Sequence, residues 1–250
     1  MSQPIALITG ATSGIGEATA RLLTKQYRLI ICGRRKDRLE SLQAELAGES
    51  QILSFDVRDK DTVFKAINSL PEEWQKVDIL INNAGNAHGL DLIHDGNTDD
   101  WDAMIDINVK GLLYVSKAVL SGMVARKKGH IINISSIAGL EVYPKGNVYC
   151  ASKHAVDALT KGMRMDLNEH GIKVTSIDPG LVETEFSEVR FKGNSEKAEQ
   201  VYKNYTPLTA HDVAETIEFV LSRPAHVMIG DLLILPTDQA SSTIVNKKSQ

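Results

Sequence analysis

The chain contains only two cysteines, Cys32 and Cys150, too few for a disulfide framework and without the clustered spacing of a zinc site. Aromatic residues amount to 5%. Positive charge is not in excess, since the formal net charge is −4 and the pI about 6.0, and this disfavours a nucleic-acid partner. No stretch approaches the roughly 18 apolar residues that a membrane span needs, which excludes a membrane partner of that kind. The opening MSQPIALITG has a short apolar run before a glycine-rich turn and lacks the pattern of a secretory signal. With so few cysteines, the reading is a reducing, cytoplasmic location. Cys150 reads as a small buried thiol rather than a redox group. The histidines, including His88, His94, His154, His170 and His211, show no ligand spacing, so no metal is expected. Low-complexity segments and internal repeats are also missing.

What is present is an ordinary globular composition, 42% hydrophobic and 24% charged over 250 residues, enough to bury a sizeable core. Short β-branched runs alternate with helical patterns: IALIT at 5–9, LIIC at 29–32, ILSF at 52–55, DILIN at 78–82, HIINIS at 130–135, KVTSI at 173–177 and DLLIL at 231–235. That rhythm predicts an α/β fold with a mainly parallel, doubly wound sheet of seven strands and helices on both faces. Leu39, Leu42 and Leu46 mark one helix ahead of Gly48. Trp101, Met104, Ile105, Leu112, Val115, Val119 and Met123 mark a longer one. The whole of 1–250 reads as one domain, interrupted once at about 183–209 by a polar segment with no strand pattern. In an open α/β sheet ligands bind beyond the carboxyl ends of the strands, so a segment there suits a substrate lid or a plain surface excursion.

The first strand runs into TGATSGIG, placing Gly10, Gly14 and Gly16 between a strand and a helix. Glycines allow the tight turn and let the backbone approach a pyrophosphate, whose charge the following helix N-terminus stabilises. A dinucleotide site is therefore expected, with Thr12 and Ser13 as further hydrogen-bond donors to its adenosine half. After the second strand an NAD site would offer a carboxylate to the ribose; here the chain reads CGRRKDR. The guanidinium of Arg34 can instead hold a 2′-phosphate, so NADP is the expected cofactor, with Arg35 adding to the clamp, stacking on adenine or standing in solvent. After the fourth strand, NNAG at 82–85 suits a turn against the cofactor.

Tyr149 and Lys153 stand four residues apart in NVYCASKHAVDAL, which puts phenol and ammonium on one helix face. Such a pair is ordinarily mere helix surface, but a nearby ammonium biases a phenol towards its anion and makes it a usable acid and base. Gly171 is the expected stop of this helix. Ser136 follows an apolar strand and has no histidine–acid pair to make it a nucleophile. Asn108 falls on the apolar stripe of its helix, so its amide must find buried partners.

In order along the chain, TGATSGIG, NNAG, Asn108, Ser136 and YCASK resemble the motifs of the short-chain dehydrogenase/reductase family over essentially the whole sequence. That resemblance implies a Rossmann-type fold, hydride transfer at nicotinamide and a catalytic tetrad of Asn108, Ser136, Tyr149 and Lys153, with Asn108 linked to Lys153 through a water. It also implies a cofactor set of Gly10, Thr12, Ser13, Gly14, Ile15, Gly16, Arg34, Arg35, Asp56, Val57, Asn83, Ala84, Gly85, Tyr149, Lys153, Pro179, Gly180, Val182 and Thr184. Family members commonly form homotetramers through helices near 99–125 and 150–170 and the C-terminal strand.

LVETEFSEVRFKG, KAEQVY and RPAHVMI further resemble the branch of NADP-dependent 3-hydroxy acid dehydrogenases acting on serine, allo-threonine and related short acids. This gives the polar segment a purpose: Arg190, or Lys192, would meet the substrate carboxylate, beside Ser136 and Tyr149 at the reacting oxygen. Glu141, Tyr143 and Phe186 are further pocket walls. The expected function is NADP-dependent interconversion of a short 3-hydroxy acid and its 3-oxo acid or semialdehyde. The alternatives are a reductase of another carbonyl, such as a 3-oxoacyl thioester, aldehyde or ketone, and an NADP-sensing protein with little turnover.

Overall fold

A computed structural model describes residues 3–248. The chain alternates strand and helix: β1 (Ile5–Thr9), α1 (Gly14–Leu23), β2 (Arg28–Gly33), α2 (Lys36–Glu45), β3 (Ser50–Ser54), α3 (Lys60–Asn68) and β4 (Val77–Asn82). The second half adds α4 (Thr98–Ile105), α5 (Leu112–Arg126), β5 (Gly129–Ile134), α6 (Asn147–Asp166), β6 (Ile172–Pro179), β7 (Val182–Glu183), α7 (Phe186–Arg190), α8 (Ser195–Tyr202), β8 (Leu208–Thr209), α9 (Ala210–Leu221) and β9 (Asp231–Ile234). Seven strands form one sheet in the order β3-β2-β1-β4-β5-β6-β9, and every neighbouring pair is parallel. The order reverses between β1 and β4, which opens a crevice at the carboxyl edge.

Parallel strands buried on both faces need apolar residues at consecutive positions, and β1 and β2 supply them. Ile8 pairs with Ile31 and Ile81, and Ile81 with Ile132, so a row of isoleucines crosses four strands just below the carboxyl edge. All four are fully buried, each contributing on the order of 1.5–3 kcal/mol from apolar burial. They pack against α1, α2 and α9, while Leu7, Leu80 and Ile131 face α3, α5 and α6 on the other side. Among the described residues no helix is long and apolar enough to cross a membrane.

Two local features depart from the sequence pattern. The long helix expected from Trp101 to Met123 is interrupted by a π-helical turn, Asp106–Gly111, that joins α4 to α5 and carries Asn108. The polar segment, expected to have no strand, is pinched at its root by β7 and β8, which pair in parallel through Val182–Leu208 and Glu183–Thr209. Thr209 then opens α9 with a capping box to Asp212, ending the excursion. α6 ends at Asp166, one short turn earlier than expected, and Gly171 takes the left-handed conformation (φ +64) that leads into β6.

Candidate active site

The carboxyl ends of β1, β2, β4, β5 and β6 open into one cavity of about 730 Å³. At its floor the glycine turn is shaped by close approach. Gly10 has φ +66, and a Cβ there would stand 2.9 Å from Asn83 Nδ2 and 3.0 Å from Ala84 Cα. Asn83 fixes this contact by donating from Nδ2 to the Thr9 carbonyl at 2.9 Å. Gly14, with Ile15 beside it, lines the cavity, whereas Gly16 does not. A side chain at Gly16 would collide with the Gly10 carbonyl and Asn83, so its part is to seat α1 against β1.

The cavity wall beyond β2 and β3 holds Arg34, Arg35, Asp56 and Val57. Arg34 is 62% exposed and has only a long contact, 3.7 Å, to the Asp56 carboxylate, whose tighter partner is Arg58 at 2.7 Å. Arg35 differs from expectation. Its guanidinium lies across the glycine turn, donating to Thr12 Oγ1 at 2.9 Å and Ser13 Oγ at 3.0 Å, and it pairs with Glu185 at 3.1 Å. Thr12 and Ser13 thus accept from Arg35 rather than standing free. Glu185 also takes Arg38 at 2.7 Å, tying the polar segment to the start of α2. Thr184 packs on Gly14, and Pro179, Gly180 and Val182 complete the wall between the two ends.

At the opposite end α6 brings Tyr149 and Lys153 to one buried face, with Ser136 from the turn after β5. Ser136 Oγ donates to the Pro179 carbonyl at 3.3 Å and accepts from Ala138 N at 3.1 Å. Burial pushes the Tyr149 phenol well above its ordinary range, while Ser136 and Arg190 pull it down. The Lys153 ammonium stands 6.0 Å from the Tyr149 ring centre and donates to the Ile134 carbonyl at 3.0 Å. Burial brings Lys153 itself down to about 8, opposed by Asp178.

Asn108 lies behind this wall. It is 2% exposed, accepts from Asn86 N at 2.8 Å, and donates to the Asn86 carbonyl at 2.9 Å and Ser152 Oγ at 3.0 Å. These direct partners make it a clamp between the segment after β4 and α6. A Cβ on Gly85 would meet Asn108 Oδ1 at 3.2 Å and Lys153 Nζ at 3.5 Å, so the lack of a side chain there leaves room for the amide and the ammonium beside the cavity wall.

Arg190, at the end of α7, reaches over the site. Its guanidinium lies 5.4 Å from the Tyr149 ring centre, donates to Tyr143 Oη at 2.8 Å and donates to the Gly89 carbonyl at 3.2 Å. Phe186 meets Tyr149 edge to face at 5.7 Å. Tyr143 and Phe186 line the cavity as expected of pocket walls, but Glu141 does not, because its carboxylate accepts from Ser242 N. Lys192 is held away by Asp100 at 2.9 Å. The sequence reading missed Glu185, whose two arginine partners are distant in sequence, and Asn86 with His88, joined at 2.7 Å on the cavity wall. It also missed Asp178, which reads as an ordinary strand-end residue.

A doubly wound parallel sheet, a glycine turn at its switch point and a buried Tyr–Lys helix face are the combination found in one class of enzyme fold. The chain belongs to the short chain dehydrogenase family, whose profile matches residues 4–195. More particularly, it is 47% identical over 238 residues to an NADP-dependent 3-hydroxy acid dehydrogenase of Shigella flexneri, covering 94% of this chain and 96% of that one. The NADP-dependent 3-hydroxy acid dehydrogenase of Schizosaccharomyces pombe is 43% identical over 248 residues, covering 97% and 96%. Among solved structures, the closed form of serine dehydrogenase complexed with NADP+ superposes with a TM-score of 0.93 at 46% identity, over 98% of this chain and 100% of that one.

Proposed function

We propose that the protein is an NADP-dependent oxidoreductase that interconverts a short 3-hydroxy acid and its 3-oxo acid or semialdehyde. The relatives carry that activity in their names. The observation that carries the substrate class is the position of Arg190: a guanidinium 5.4 Å from the Tyr149 ring, at the substrate end of the cavity, opposite Ser136. A carboxylate bound there would place a carbon two bonds away near the phenol and the serine hydroxyl.

The cavity residues fit NADP. Gly10 and Gly14, both at positive φ, line the cavity with their backbone open to a pyrophosphate, and Arg34 stands exposed at the end of β2 where a 2′-phosphate would lie. NADP supplies the hydride chemistry when bound. Tyr149 Oη delivers the proton to the carbonyl oxygen on reduction and removes it from the alcohol on oxidation. Ser136 Oγ turns its hydrogen from the Pro179 carbonyl to that oxygen as charge develops on it. Lys153 holds a positive charge behind the phenol, Asn108 keeps Ser152 and the segment at Asn86 in place around it, and Phe186 excludes water from the ring.

The segment 183–209 acts as the substrate lid of this single catalytic domain. Assembly as a homotetramer is part of the proposal, supported by exposed apolar side chains on α6, α9 and β9: Met165, Phe219 and Leu233. So is a cytoplasmic location, supported by two free, buried cysteines. The reading is tested by NADPH oxidation with 3-oxo acids or semialdehydes, using Tyr149→Phe as control. Turnover by the wild type alone, with NADPH bound by both, supports it; equally negligible rates in both proteins would make the chain a cofactor-binding protein.

A further inference from the structure

Among the described residues, one basic aliphatic or guanidinium side chain and one carboxylate are outright buried: Lys153 at 6% exposure and Asp178 at 1%. Backbone register brings the strand ends that carry or hold them side by side, with the two charges more than 4 Å apart. Lys153 Nζ donates to the carbonyl of Ile134, the last residue of β5, which pairs with Ile177 of β6. Ser135 stitches the strand end to the helix, its N donating to the Ile177 carbonyl at 2.8 Å and its Oγ to the Lys153 carbonyl at 3.3 Å. Ile177 faces the α1, α2 and α9 side of the sheet. Strand alternation therefore turns Ser176 and Asp178 to the other face, which α6 covers and from which Lys153 descends.

We propose that Asp178 is the buried counter-charge of Lys153, a positioning residue through which β6 keeps the ammonium charged and aimed at the end of β5. It does not line the cavity; the next residue, Pro179, does, and accepts the Ser136 hydrogen bond. Asp178 acts through Lys153 rather than on a substrate. A carboxylate is not needed for the local packing. Its Oδ1 accepts from Ser176 Oγ at 2.7 Å, a bond that an asparagine oxygen would accept equally. An ionised oxygen pair buried at 1% exposure is costly unless a cation answers it, and the buried lysine has the matching need.

The ionisable groups around the pair agree with this assignment. Facing Asp178 are Lys153 and Asp157 from α6 and Asp231 from β9; Asp157 is already paired with Lys161 and Asp231 with Arg164. Burial raises Asp178 to about 6, Ser176 and Lys153 work against that rise, and the two aspartates add to it. On the other side, burial lowers Lys153 to about 8 and Asp178 opposes the loss. Tyr149 lies one turn earlier on α6, with Tyr143, Arg190 and Cys150 about it. Between about pH 6 and 8 both members of the pair are ionised.

The inference rests on the proposed oxidoreductase reading and is tested by the pH dependence of kcat for NADPH-linked semialdehyde reduction in wild type, Asp178→Asn and Asp178→Glu. Removing the carboxylate is expected to move the alkaline midpoint down by about one pH unit, a roughly tenfold loss on that limb, with Asp178→Glu restoring it. A midpoint that stays in place, or one equal loss at every pH, would overturn the counter-charge. Stability supplies the second arm. Each single variant, Asp178→Asn and Lys153→Met, leaves one buried charge alone, whereas the double variant leaves none. The double variant is therefore expected to melt above both singles, even where a single does not fold; additive losses would contradict the pairing. No turnover by the wild type would fail the oxidoreductase reading, and the melting comparison would still decide the pair.

Discussion

The glycine turn and the segment 183–209 face each other across one cavity and are held by different forces. Around the turn, position comes from backbone: parallel ladders, a left-handed glycine at Gly10 and the Asn83 amide on the Thr9 carbonyl. The segment rests on a two-residue strand pair, two short helices and side-chain contacts: Glu185 with Arg35 and Arg38, Phe186 on Tyr149, and Arg190 on Tyr143. Backbone ladders are cooperative with the whole sheet; partly exposed ion pairs are individually worth only about 0–1 kcal/mol. One wall is fixed with the fold, and the other, as the lid of the proposed reading, would open without unfolding it. That division suits a site whose fixed wall positions the cofactor and whose other wall closes over the substrate in each turnover.

The comparison is sharpened most by separating chemistry from both walls. Tyr149→Phe removes the proton donor and keeps the ring that Phe186 packs on, so kcat should fall by roughly 10²–10⁴ while NADPH affinity, measured by fluorescence titration, holds. The next effect belongs to the fixed wall. Arg34→Asp should lower the ratio of kcat/KM for NADPH over NADH by roughly 10–100-fold, the loss of a charge-assisted bond and more. An unchanged ratio would hand the 2′-phosphate to Arg35 or Arg58.

Titration distinguishes the walls from the floor between them. Because Lys153 is held down at about 8, its ammonium is lost as pH rises through that value, and reductive turnover should decline there. Stability moves the other way: between about 8 and 10.5 the folded chain holds fewer protons than the unfolded one, so this group favours folding as pH climbs through that interval. Rate and melting temperature measured over the same range should diverge. The smallest effect belongs to the movable wall. Glu185→Gln removes the charge that ties the segment to Arg35 and Arg38, and substrate KM should rise by less than about fivefold, the worth of an exposed pair.

The same division decides what was legible in the sequence. The seven strands and the glycine turn were readable because β-branched runs and glycines are local requirements of buried parallel strands and tight turns. Tyr149 and Lys153 were readable as a shared helix face for the same reason. The direction of the Lys153 ammonium was not, since it depends on the Ile134 carbonyl at the end of another strand. Nor was the π turn at Asn108: it rephases the helix by a backbone change that leaves the apolar pattern of Met104, Val115 and Val119 intact. Glu185 reads as a solvated charge in a polar run; only folding brings it to Arg35, 150 positions away.

On the proposed reading, Arg190 in the segment 183–209 selects a carboxylate above a site fixed by the sheet. The most direct measurement is kcat/KM for a 3-hydroxy acid against its neutral amide, in wild type and Arg190→Ala. The prediction is a wild-type preference for the acid that Arg190→Ala erases by roughly 10–100-fold, through KM and on the acid alone. Equal losses on acid and amide would contradict it and leave Arg190 as a packing partner of Tyr143 and Tyr149.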